Sequence, residues 1–428
     1  MSEHAFIDKL LDGVEVEWKR FDDLGKFIRG KRFVKADMKS EGVPCIHYGE
    51  MYTHYGIWAD QAQSFLTRDV ASKLRTANPG DVIIVSAGET IEDIGNGTAW
   101  LGKSDVVFHD ACFSFKSELD PKYVAYYLRT NFFKEQIKKS VSSGKISSIN
   151  AKGLGKAQIP IPCPDNPEKS LAIQGEIVRI LDSFTELTAE LTAELTAELT
   201  ARKQQYQYYR DQLLTFNENE VDWKKLGEVA IKIYSGGTPK TDVAEYWESG
   251  SIPWMSSGEV NLETVYQTEK YITEAGLQNS SAKFVPKGSI VIALAGQGKT
   301  RGKVARIRID LTTNQSLASL TFDEKNINPD YVFHFLKTQY ECLRQISSGN
   351  GTRGGLNLQM ISNYKLPVPP LAEQARIVAI LDKFDALTNS ITEGLPREIQ
   401  LRKQQYEYYR DLLLSFPKPD TEPRKNAL

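Results

Sequence analysis

The sequence predicts an α+β fold in which two globular mixed α/β domains are separated by two long antiparallel helices that form a coiled coil. Two observations predict it. The chain repeats itself, because ILDSF at 180–184 returns as ILDKF at 380–384 and RKQQY at 202–206 returns at 402–406. Each copy also ends in helix-forming residues whose larger side chains are spaced by three and four, the heptad pattern of a coiled coil.

The repeat extends beyond the helices and has an unusual start. The motif IPIP at 159–162 matches LPVP at 366–369. The first residues, IDKLLDGVEVEW at 7–18, resemble the helix exit RDQLLTFNENEVDW at 210–223. We therefore expect a pseudo-two-fold, circularly permuted repeat, with a fragment of the second copy's ending placed at the front of the chain.

The first domain is predicted at 1–160 and includes a short N-terminal helical segment. The β-like run DVIIVS at 81–86 and the helical stretch at 121–140 indicate mixed α/β structure. Basic side chains are concentrated at 18–35. Because cations gathered on one face bind polyanions, candidate DNA contacts in this stretch are Arg29, Lys31 and Arg32.

A central helix is predicted at 161–216, where the unit TAEL occurs three times in succession at 188–199. Alanine, glutamate and leucine are strong helix formers. Each four-residue unit overshoots a helical turn by ~40° and adds ~6 Å of axis, so the repeat is predicted to act as a spacer. The predicted coiled-coil positions in this helix are Leu187, Leu191, Leu195, Leu199, Tyr206, Tyr209 and Leu213.

The second domain is predicted at 217–369, with the same framework and different loops. Its β-like run SIVIAL at 289–294 and its helical stretch at 329–346 match those of the first domain. Such a pair predicts related domains that recognise different targets. Glycine permits close backbone approach, and hydroxyls and cations bind phosphates or bases, so the candidate DNA contacts are Thr238, Lys240, Ser256, Lys299, Arg301, Lys303 and Arg353.

One loop of the second domain resembles a nucleotide-binding motif. GQGKT at 296–300 matches the end of a P-loop, but Ala293 stands where the first glycine is required, so the sequence disfavours this function. The same loop adds Arg306 and Arg308 to its basic residues, which favours contact with a polyanion. A solvated charged hairpin is the alternative.

A second spacer helix is predicted at 370–416, followed by a disordered tail at 417–428. Gly394 and Pro396 are expected to kink or break this helix. Its predicted coiled-coil positions are Leu395, Tyr406, Tyr409 and Leu413.

Composition and motif searches exclude several classes of function. The 428 residues are 41% hydrophobic and 25% charged, as in globular proteins, and the net charge of −2 gives no global attraction to nucleic acid. There is no apolar run of transmembrane length and no secretory signal, so we expect a cytoplasmic protein with no membrane partner. The histidines and cysteines lack metal-ligand spacing and no nucleophile motif occurs, so we expect no metal site and no catalytic residues.

Together these features resemble the specificity subunit of type I restriction-modification systems. The resemblance rests on the doubled plan, on EIVRILDSF and ARIVAILDKF, and on the TAEL run, which is similar to that of the IC subfamily. In the second domain, YSGGTPK at 234–240 followed by IPW at 252–254 is similar to the opening of a target-recognition domain. No GGTP sequence occurs in the first domain.

The resemblance implies a non-catalytic subunit in which each domain reads one half of a bipartite, asymmetric double-stranded DNA site. The helices would set the half-site spacing, with the TAEL count tuning it, and would dock two methyltransferase subunits. Those subunits would bind S-adenosylmethionine and methylate adenine. Restriction subunits that use ATP and Mg²⁺ would join through the methyltransferase subunits, so this chain itself is expected to bind no cofactor.

The alternative function is that of a structural adaptor. The two helices would then form a hairpin that joins partner proteins, and the basic glycine-rich loops would be incidental. Salt-sensitive DNA binding by the assembled complex separates the two functions, since phosphate contacts release counterions.

Overall fold

The computed structural model describes residues 11, 13–88, 90–142, 144, 146–217, 219–296, 300–347, 355–389 and 393–416. The chain divides into two compact units. The first contains Met1–Glu194 and Ile399–Leu428, and the second contains Leu195–Glu398. Each unit contains one mixed α/β domain and segments of the long helices, and the predicted fold of two mixed α/β domains joined by a long helix is confirmed.

The first domain contains two main sheets, with strand orders β2-β11-β7-β9-β4 and β5-β3-β10-β6. Its strands are β1 (Val16–Arg20), β2 (Gly25–Arg29), β3 (Val43–Ile46), β4 (Trp58–Ala59), β5 (Ser64–Leu66), β6 (Thr76–Ala77), β7 (Val82–Val85), β8 (Ala87–Gly88), β9 (Gly97–Trp100), β10 (Val106–Phe108), β11 (Cys112–Ser117), β12 (Ser147–Ser148) and β13 (Gln158–Pro162). Its helices are α1 (Phe21–Leu24), α2 (Glu50–Thr53), α3 (Arg68–Ala71), α4 (Pro121–Tyr127), α5 (Asn131–Lys138) and α6 (Ala151–Gly155), and the long helix α7 (Pro167–Leu214) follows.

The second domain has the same two sheets, in the orders β15-β23-β20-β21-β17 and β18-β16-β22-β19. Its strands are β14 (Asp222–Lys225), β15 (Ala230–Ser235), β16 (Ile252–Met255), β17 (Thr264–Val265), β18 (Lys270–Ile272), β19 (Phe284–Val285), β20 (Ile290–Ala293), β21 (Val304–Ile307), β22 (Leu311–Thr313), β23 (Leu317–Phe322) and β24 (Lys365–Val368). The helices of the second half are α8 (Leu226–Val229), α9 (Glu274–Gln278), α10 (Pro329–Thr338), α11 (Tyr340–Ile346), α12 (Leu358–Asn363), α13 (Leu371–Asn389) and α14 (Gly394–Leu413). Short 3-10 helices cover Lys35–Asp37, Ala244–Tyr246 and Ser257–Leu262.

The central strands follow from their sequences. β7 reads VIIV and β20 reads IVIA, and every residue of both strands is buried. Runs of β-branched residues fit a strand that is covered on both faces. These two strands correspond, because each lies between the same neighbours in its five-stranded sheet.

The repeated proline motifs lie in two-stranded ladders at the base of each domain. β1 pairs with β13, which places Trp18 opposite Pro160, and β14 pairs with β24, which places Trp223 opposite Pro367. The hydroxyl of Tyr123 donates to the carbonyl oxygen of Pro160 at 2.8 Å. In the second domain Tyr331 donates to Pro367 in the same way, at 3.0 Å.

The helical stretch predicted at 121–140 is two helices, α4 and α5. Thr130 separates them, because its side chain accepts the backbone N–H of Phe133 at 3.2 Å and so caps the start of α5. The matching stretch of the second domain is likewise divided into α10 and α11. Both predicted stretches are therefore helical, and each contains a break that was not predicted from the sequence.

Long helices occupy most of the two segments for which helices were predicted. α7 is continuous through all three TAEL units. The C-terminal helical segment is interrupted, since α13 ends at Asn389 and α14 begins at Gly394, as the glycine and Pro396 predict. In the part of the chain that the structure describes, no helix is both long and apolar enough to span a membrane. The predicted tail at 417–428 lies outside the described residues.

Aromatic residues of the repeated blocks join helices within each unit. In the first unit, the rings of Phe184 and Tyr409 stack with centroids 5.8 Å apart, and the hydroxyls of Thr185 and Tyr406 are 3.0 Å apart. In the second unit, Phe384 stacks on Tyr209 at 5.7 Å. Among the predicted coiled-coil positions, Tyr206, Leu395 and Leu413 are buried, Leu191, Leu195, Leu199, Leu213 and Tyr406 are half-buried, and Leu187, Tyr209 and Tyr409 are exposed.

The N-terminal fragment contributes to the first unit as the permuted repeat predicts. Leu11 is buried in the same hydrophobic cluster as Leu413, Leu414 and Phe416. Both ends of the chain therefore build one core. Residues 7–10 and 12 lie outside the described residues.

One aspartate on a long helix fixes each domain to its helices. Asp182 on α7 accepts hydrogen bonds from Lys122 and Tyr126, both at 2.8 Å. At the matching position, Asp382 on α13 is 2.6 Å from Arg306 and 2.8 Å from Nε2 of His334. The repeat therefore keeps the acceptor and changes the donors.

Candidate nucleic-acid interface

Three loops meet at one end of the sheets in each domain. The first loop follows β2 in the first domain, at 30–34, and β15 in the second domain, at 236–240. The second loop follows β3 in the first domain, at 47–49, and β16 in the second, at 256–258. The third loop joins β10 to β11 in the first domain, at 109–111, and β22 to β23 in the second, at 314–316. β3 and β10 pair in parallel, as do β16 and β22, so the second and third loops leave neighbouring carboxyl ends. Crevices at such ends are common ligand sites in α/β proteins.

The strand registers show that the loops correspond position by position. Phe113 pairs with Arg29 in the first domain, and Ala318 pairs with Ser235 in the second. Gly30 therefore corresponds to Gly236, and Arg32 to Thr238. The first domain does contain a counterpart of the GGTP loop, with the sequence GKRF at 30–33.

Glycine is required where the first loop crosses the third. A Cβ at Gly236 would overlap the carbonyl oxygen of Thr313, and a Cβ at Gly30 would overlap that of His109. The backbone of the first loop therefore lies against the third loop in the first domain, and against the residue directly before that loop in the second, at a distance that only glycine permits.

The second loop has the same glutamate brace in both domains. Glu50 accepts the backbone N–H of His47 at 2.8 Å, and Glu259 accepts that of Ser256 at 2.7 Å. Each glutamate stands three residues after the residue whose N–H it accepts, as in a capping box. His47 in the first domain and Ser256 in the second therefore occupy the same place.

Hydrogen bonds also reach the third loop from the end of β2 in the first domain and from the first loop in the second domain, with different chemistry. Nε of Arg29 donates to the backbone carbonyl of Asp110 at 3.0 Å. In the second domain the hydroxyl of Thr238 donates to Oε1 of Gln315 at 2.6 Å. Asp110 and Gln315 are corresponding residues at the centres of their loops.

A histidine pair lies beneath the loops of the first domain. The rings of His47 and His109 are buried, with centroids 4.7 Å apart. Nδ1 of His47 accepts the N–H of Gly49, and Nδ1 of His109 accepts that of Ala111. Burial, with help from His109 and then Lys35, lowers the pKa of His47 to about 4, and burial also lowers the pKa of His109. Both rings are therefore neutral at pH 7, and they act as structural supports for the loops.

The hairpin after the central strand lies at the same end of each sheet as the third loop. The N–H of Leu294 donates to the carbonyl of Ser316, and that of Ser86 donates to Ala111. In the second domain this hairpin contains Arg301 and Lys303, and Nζ of Lys303 donates to Asn261 at 2.7 Å. In the first domain it contains acidic residues instead, Glu92 and Asp93.

The described candidate contacts predicted from the sequence fall in these loops. Arg29, Lys31 and Arg32 are exposed beside or within the first loop of their domain, and Nζ of Lys31 donates to the carbonyl of Lys73 at 2.8 Å. In the second domain, Lys240 is exposed, and Thr238, Ser256, Arg301 and Lys303 are half-buried. Lys299 and Arg353 lie outside the described residues.

Two basic residues of the second domain are structural, which corrects the expectation that they face a polyanion. Arg306 is only 7% exposed. Its guanidinium lies 2.6 Å from Asp382, 3.4 Å from Asp330 and 3.7 Å from Asp385. Arg308 donates to Asp330 at 2.7 Å. The hairpin ends in a buried strand, so its later cations pair with carboxylates in the second unit.

The third loop was missed by sequence reasoning. Its exposed or half-buried polar residues are Asp110, Asn314, Gln315 and Ser316, and buried His109 supports it. The available signal was the pair of polar residues that begins the loop before each of two largely apolar runs, in FHDACFSF at 108–115 and TNQSLASL at 313–320. The number of residues between corresponding positions differs from that in the helices, and few residues in the two loops are identical. The correspondence of the two loops therefore becomes clear only from the strand register.

Within the described part of the chain, histidine, cysteine, aspartate and glutamate side chains form no cluster that could hold a metal ion. Buried His47, His109 and Glu259, beside the loops, accept hydrogen bonds from backbone N–H groups. The interface is therefore built of hydrogen-bonding and cationic side chains on closely packed loops.

Comparison with known proteins gives the family. The model of the type I restriction modification DNA specificity domain matches residues 13–201 and 219–401, one match for each copy of the repeat. The chain belongs to this family. Its two α/β domains are thus DNA target-recognition domains of a type I specificity subunit, as the resemblance predicts.

Individual relatives align with almost the whole length of this specificity subunit. The type I restriction enzyme EcoR124I/EcoR124II specificity subunit of Escherichia coli is 41% identical over 98% of this chain and 99% of its own length. A chain from a type I R-M system, solved in a study of complex assembly and conformational transition, has a TM-score of 0.65 at 16% identity and covers 93% of this chain and 97% of its own. The HsdS subunit of Thermoanaerobacter tengcongensis has a TM-score of 0.54 at 16% identity, covering 93% of this chain and 95% of its own, so both structures share the fold.

Proposed function

We propose that this specificity subunit reads a bipartite, asymmetric double-stranded DNA site, one half with each domain. The observation that carries the proposal is the matched set of three loops. The two domains hold the same backbone at corresponding positions and present different side chains, which is what two readers of different half-sites require.

The helices set the distance between the half-sites. α7 runs without a break from Pro167 to Leu214, through the TAEL units. A continuous helix transmits a change of length and of rotation from one end to the other, so each TAEL unit alters both. We propose on this ground that the spacer follows the pattern of the IC subfamily.

The helices also dock two methyltransferase subunits. Exposed apolar side chains recur on them at the 200-residue repeat: Leu171 and Leu371 are 42% and 40% exposed, and Tyr208 and Tyr408 are 59% and 51% exposed. Because each unit exposes the same kind of apolar side chain at a corresponding position, the two units could bind two copies of one partner.

The chemistry lies on the partners in this proposal. The methyltransferase subunits bind S-adenosylmethionine and methylate adenine, and the restriction subunits, joined through them, use ATP and Mg²⁺. The chain contributes recognition and geometry and no catalytic residue. This division of labour is supported by the relatives, which are specificity subunits.

DNA binding by the complex of this chain with its methyltransferase subunits tests the proposal. The affinity for a duplex that contains the target should fall steeply as salt rises from 50 to 200 mM, because phosphate contacts release counterions. A complex that assembles but binds duplex DNA no better than the methyltransferase subunits alone would support the adaptor function instead.

Deletion of one spacer unit, Thr192–Leu195, tests the role of α7. The deletion removes ~6 Å of helix and ~40° of rotation, so the preferred unread spacer should shorten by about one or two base pairs. Both half-site sequences should stay the same. Methylation of a ladder of duplexes that differ only in spacer length measures the optimum, and the length-preserving change Thr192→Ala is the control. An unchanged optimum after the deletion would refute the spacer function.

A further inference from the structure

We propose that the central residue of the third loop, Asp110 in the first domain and Gln315 in the second, determines which base its domain reads. The inference rests on the proposed DNA-reading function and names residues and base classes for it. Gln315 is assigned to an adenine of one half-site, and Asp110 to a base with an exposed amino group in the other.

The position of these residues among the loops is the first observation. The first loop lies against the third so closely that glycine is required at Gly30 and Gly236. The third loop also leaves the sheet beside the end of the parallel strand that precedes the second loop. Its central residue is therefore surrounded by the other loops at the middle of the interface.

The charge at this position separates base contact from phosphate contact. Asp110 is an acid beside the exposed cations Arg29, Lys31 and Arg32. A carboxylate is repelled by phosphates, so on a DNA-facing surface it fits only a hydrogen-bond donor. In the major groove those donors are the amino groups of cytosine and adenine. The flanking cations are suited to the phosphates.

Within the described part of the chain, no lysine or arginine forms an ion pair with the carboxylate of Asp110. Arg29 donates to its backbone carbonyl, not to its carboxylate. Its ion-pair candidate among the described residues is Nδ1 of His109 at 3.1 Å. That nitrogen accepts the N–H of Ala111, and burial lowers the pKa of the ring, so His109 is neutral at pH 7. The acceptor capacity of Asp110 therefore remains for a ligand.

Gln315 occupies the same place with a different set of hydrogen-bonding groups. It is exposed, and the hydroxyl of Thr238 donates to its Oε1 at 2.6 Å. This bond orients the amide and leaves the NH₂ group and the second lone pair of Oε1 for a ligand. An amide with one donor and one acceptor available matches the N7 and N6 groups of adenine.

The test is a map of methylated adenines made by the complex of the full chain with its methyltransferase subunits. In Gln315→Ala, one position of one half-site should accept other bases, with about tenfold or more loss of discrimination, since a bidentate contact contributes ~1–3 kcal/mol. The other half-site should be unchanged. Asp110→Asn should alter one position of the opposite half-site and leave the first as it was.

Two further variants make the outcome decisive. Gln315→Glu removes the donor and keeps the length, so it should shift the preference at that same position toward cytosine. Gln359→Ala, at an exposed position of α12 outside the three loops, is the matched control and should leave the motif intact.

The result that overturns the inference is a uniform fall in methylation at all sites with an unchanged motif in Gln315→Ala and Gln315→Glu, which would assign the residue to phosphate contact or to folding. A shift of the same position by both Asp110→Asn and Gln315→Ala would also overturn it. Failure of the underlying function would look different, because the wild-type complex would then methylate no bipartite motif.

Discussion

The two target-recognition domains share a framework and differ in where they place charge and hydrogen-bonding groups. In the first domain the first loop carries Lys31 and Arg32, and the hairpin after the central strand carries Glu92 and Asp93. The second domain reverses this arrangement. Its first loop is GGTPK, and its hairpin carries the basic residues.

This difference shows which parts of the domain are free to vary. Positions that hold the backbone are kept, such as Gly30 and Gly236, and the glutamates of the second loop. Positions that face outward are changed: Arg32 to Thr238, and Asp110 to Gln315. A scaffold that fixes loop positions independently of their outward side chains allows one fold to read many sequences.

The largest expected effect is that of substitutions at Gly30 and Gly236. They test whether both domains depend equally on the close approach of the first loop to the third-loop region. Gly236→Ala should displace the first loop from Thr313, cost about 3 kcal/mol and abolish recognition of one half-site. Gly30→Ala should do the same for the other half-site. Methylation of the bipartite target and hydrogen exchange in β22 and β10 measure both effects.

The control for these variants is Gly175→Ala in α7, where a Cβ meets open space. It should leave methylation intact and add up to about 1 kcal/mol of helix stability. Normal methylation by Gly236→Ala would mean that the loop crossing is dispensable.

A smaller effect on stability should distinguish the contact of Asp182 with the first domain from the contact of Asp382 with the second. Although burial alone would raise it, hydrogen bonds from His334 and Arg306 hold the pKa of Asp382 at about 2. Asp382→Asn should therefore cost about 2 kcal/mol, since buried Arg306 loses a charged partner. Asp182→Asn, which leaves the less buried Lys122, should cost about 1 kcal/mol.

Hydrogen exchange in α10 measures the loss of stability in Asp382→Asn, and hydrogen exchange in α4 measures it in Asp182→Asn. The control is Asp242→Asn, at an exposed position. Equal losses in both domains would show that the buried arginine adds nothing to the attachment. The contribution of Asp382 itself should be fully present above pH 3.8 and disappear as the pH falls toward 2, because its folded pKa is the lower one.

The smallest expected effect is a difference in acid sensitivity. The folded pKa of His47 is about 4 and its unfolded pKa is about 6.5, so the unfolded state binds more protons between these values. The stability of the first domain should therefore be full above pH 6.5 and fall by about 1 kcal/mol between pH 7 and pH 5.5. Ser256 occupies the corresponding place in the second domain and gives no such loss.

Hydrogen exchange in β3 and β16 at the two pH values compares the domains within one molecule. The double variant His47→Ser, His109→Asn copies the residues of the second domain and should remove the difference. Equal acid sensitivity of β3 and β16 in the wild type would contradict the role given to the histidines.

The sequence predicted the helical parts of the fold well because their patterns are local. The TAEL units and the heptad describe α7, and Gly394 with Pro396 describes the break before α14. The repeat of ILDSF and ILDKF predicted the duplicated plan, and the structure adds that Asp182 and Asp382 make corresponding contacts. The helix break at Thr130 was missed, because a capping threonine is a weak signal inside an otherwise helical stretch.

The interface was predicted in part. Composition pointed to the first loop, where exposed cations and glycines are adjacent in sequence. The third loop is three residues long, and its importance depends on strands that are distant in the chain, such as β2 and β11. Arg306 shows the opposite error, since a basic residue in a basic run lies buried among carboxylates.

The sequence by itself determined that this protein is a duplicated chain with two α/β domains and a long helix, because repeats and helical periodicity are encoded in neighbouring residues. Only the tertiary structure decided which loops meet, that GKRF is the counterpart of the GGTP loop, and which cations remain exposed. Those outcomes depend on strand pairing between remote segments and on the carboxylates that folding brings to each cation, neither of which a local pattern encodes.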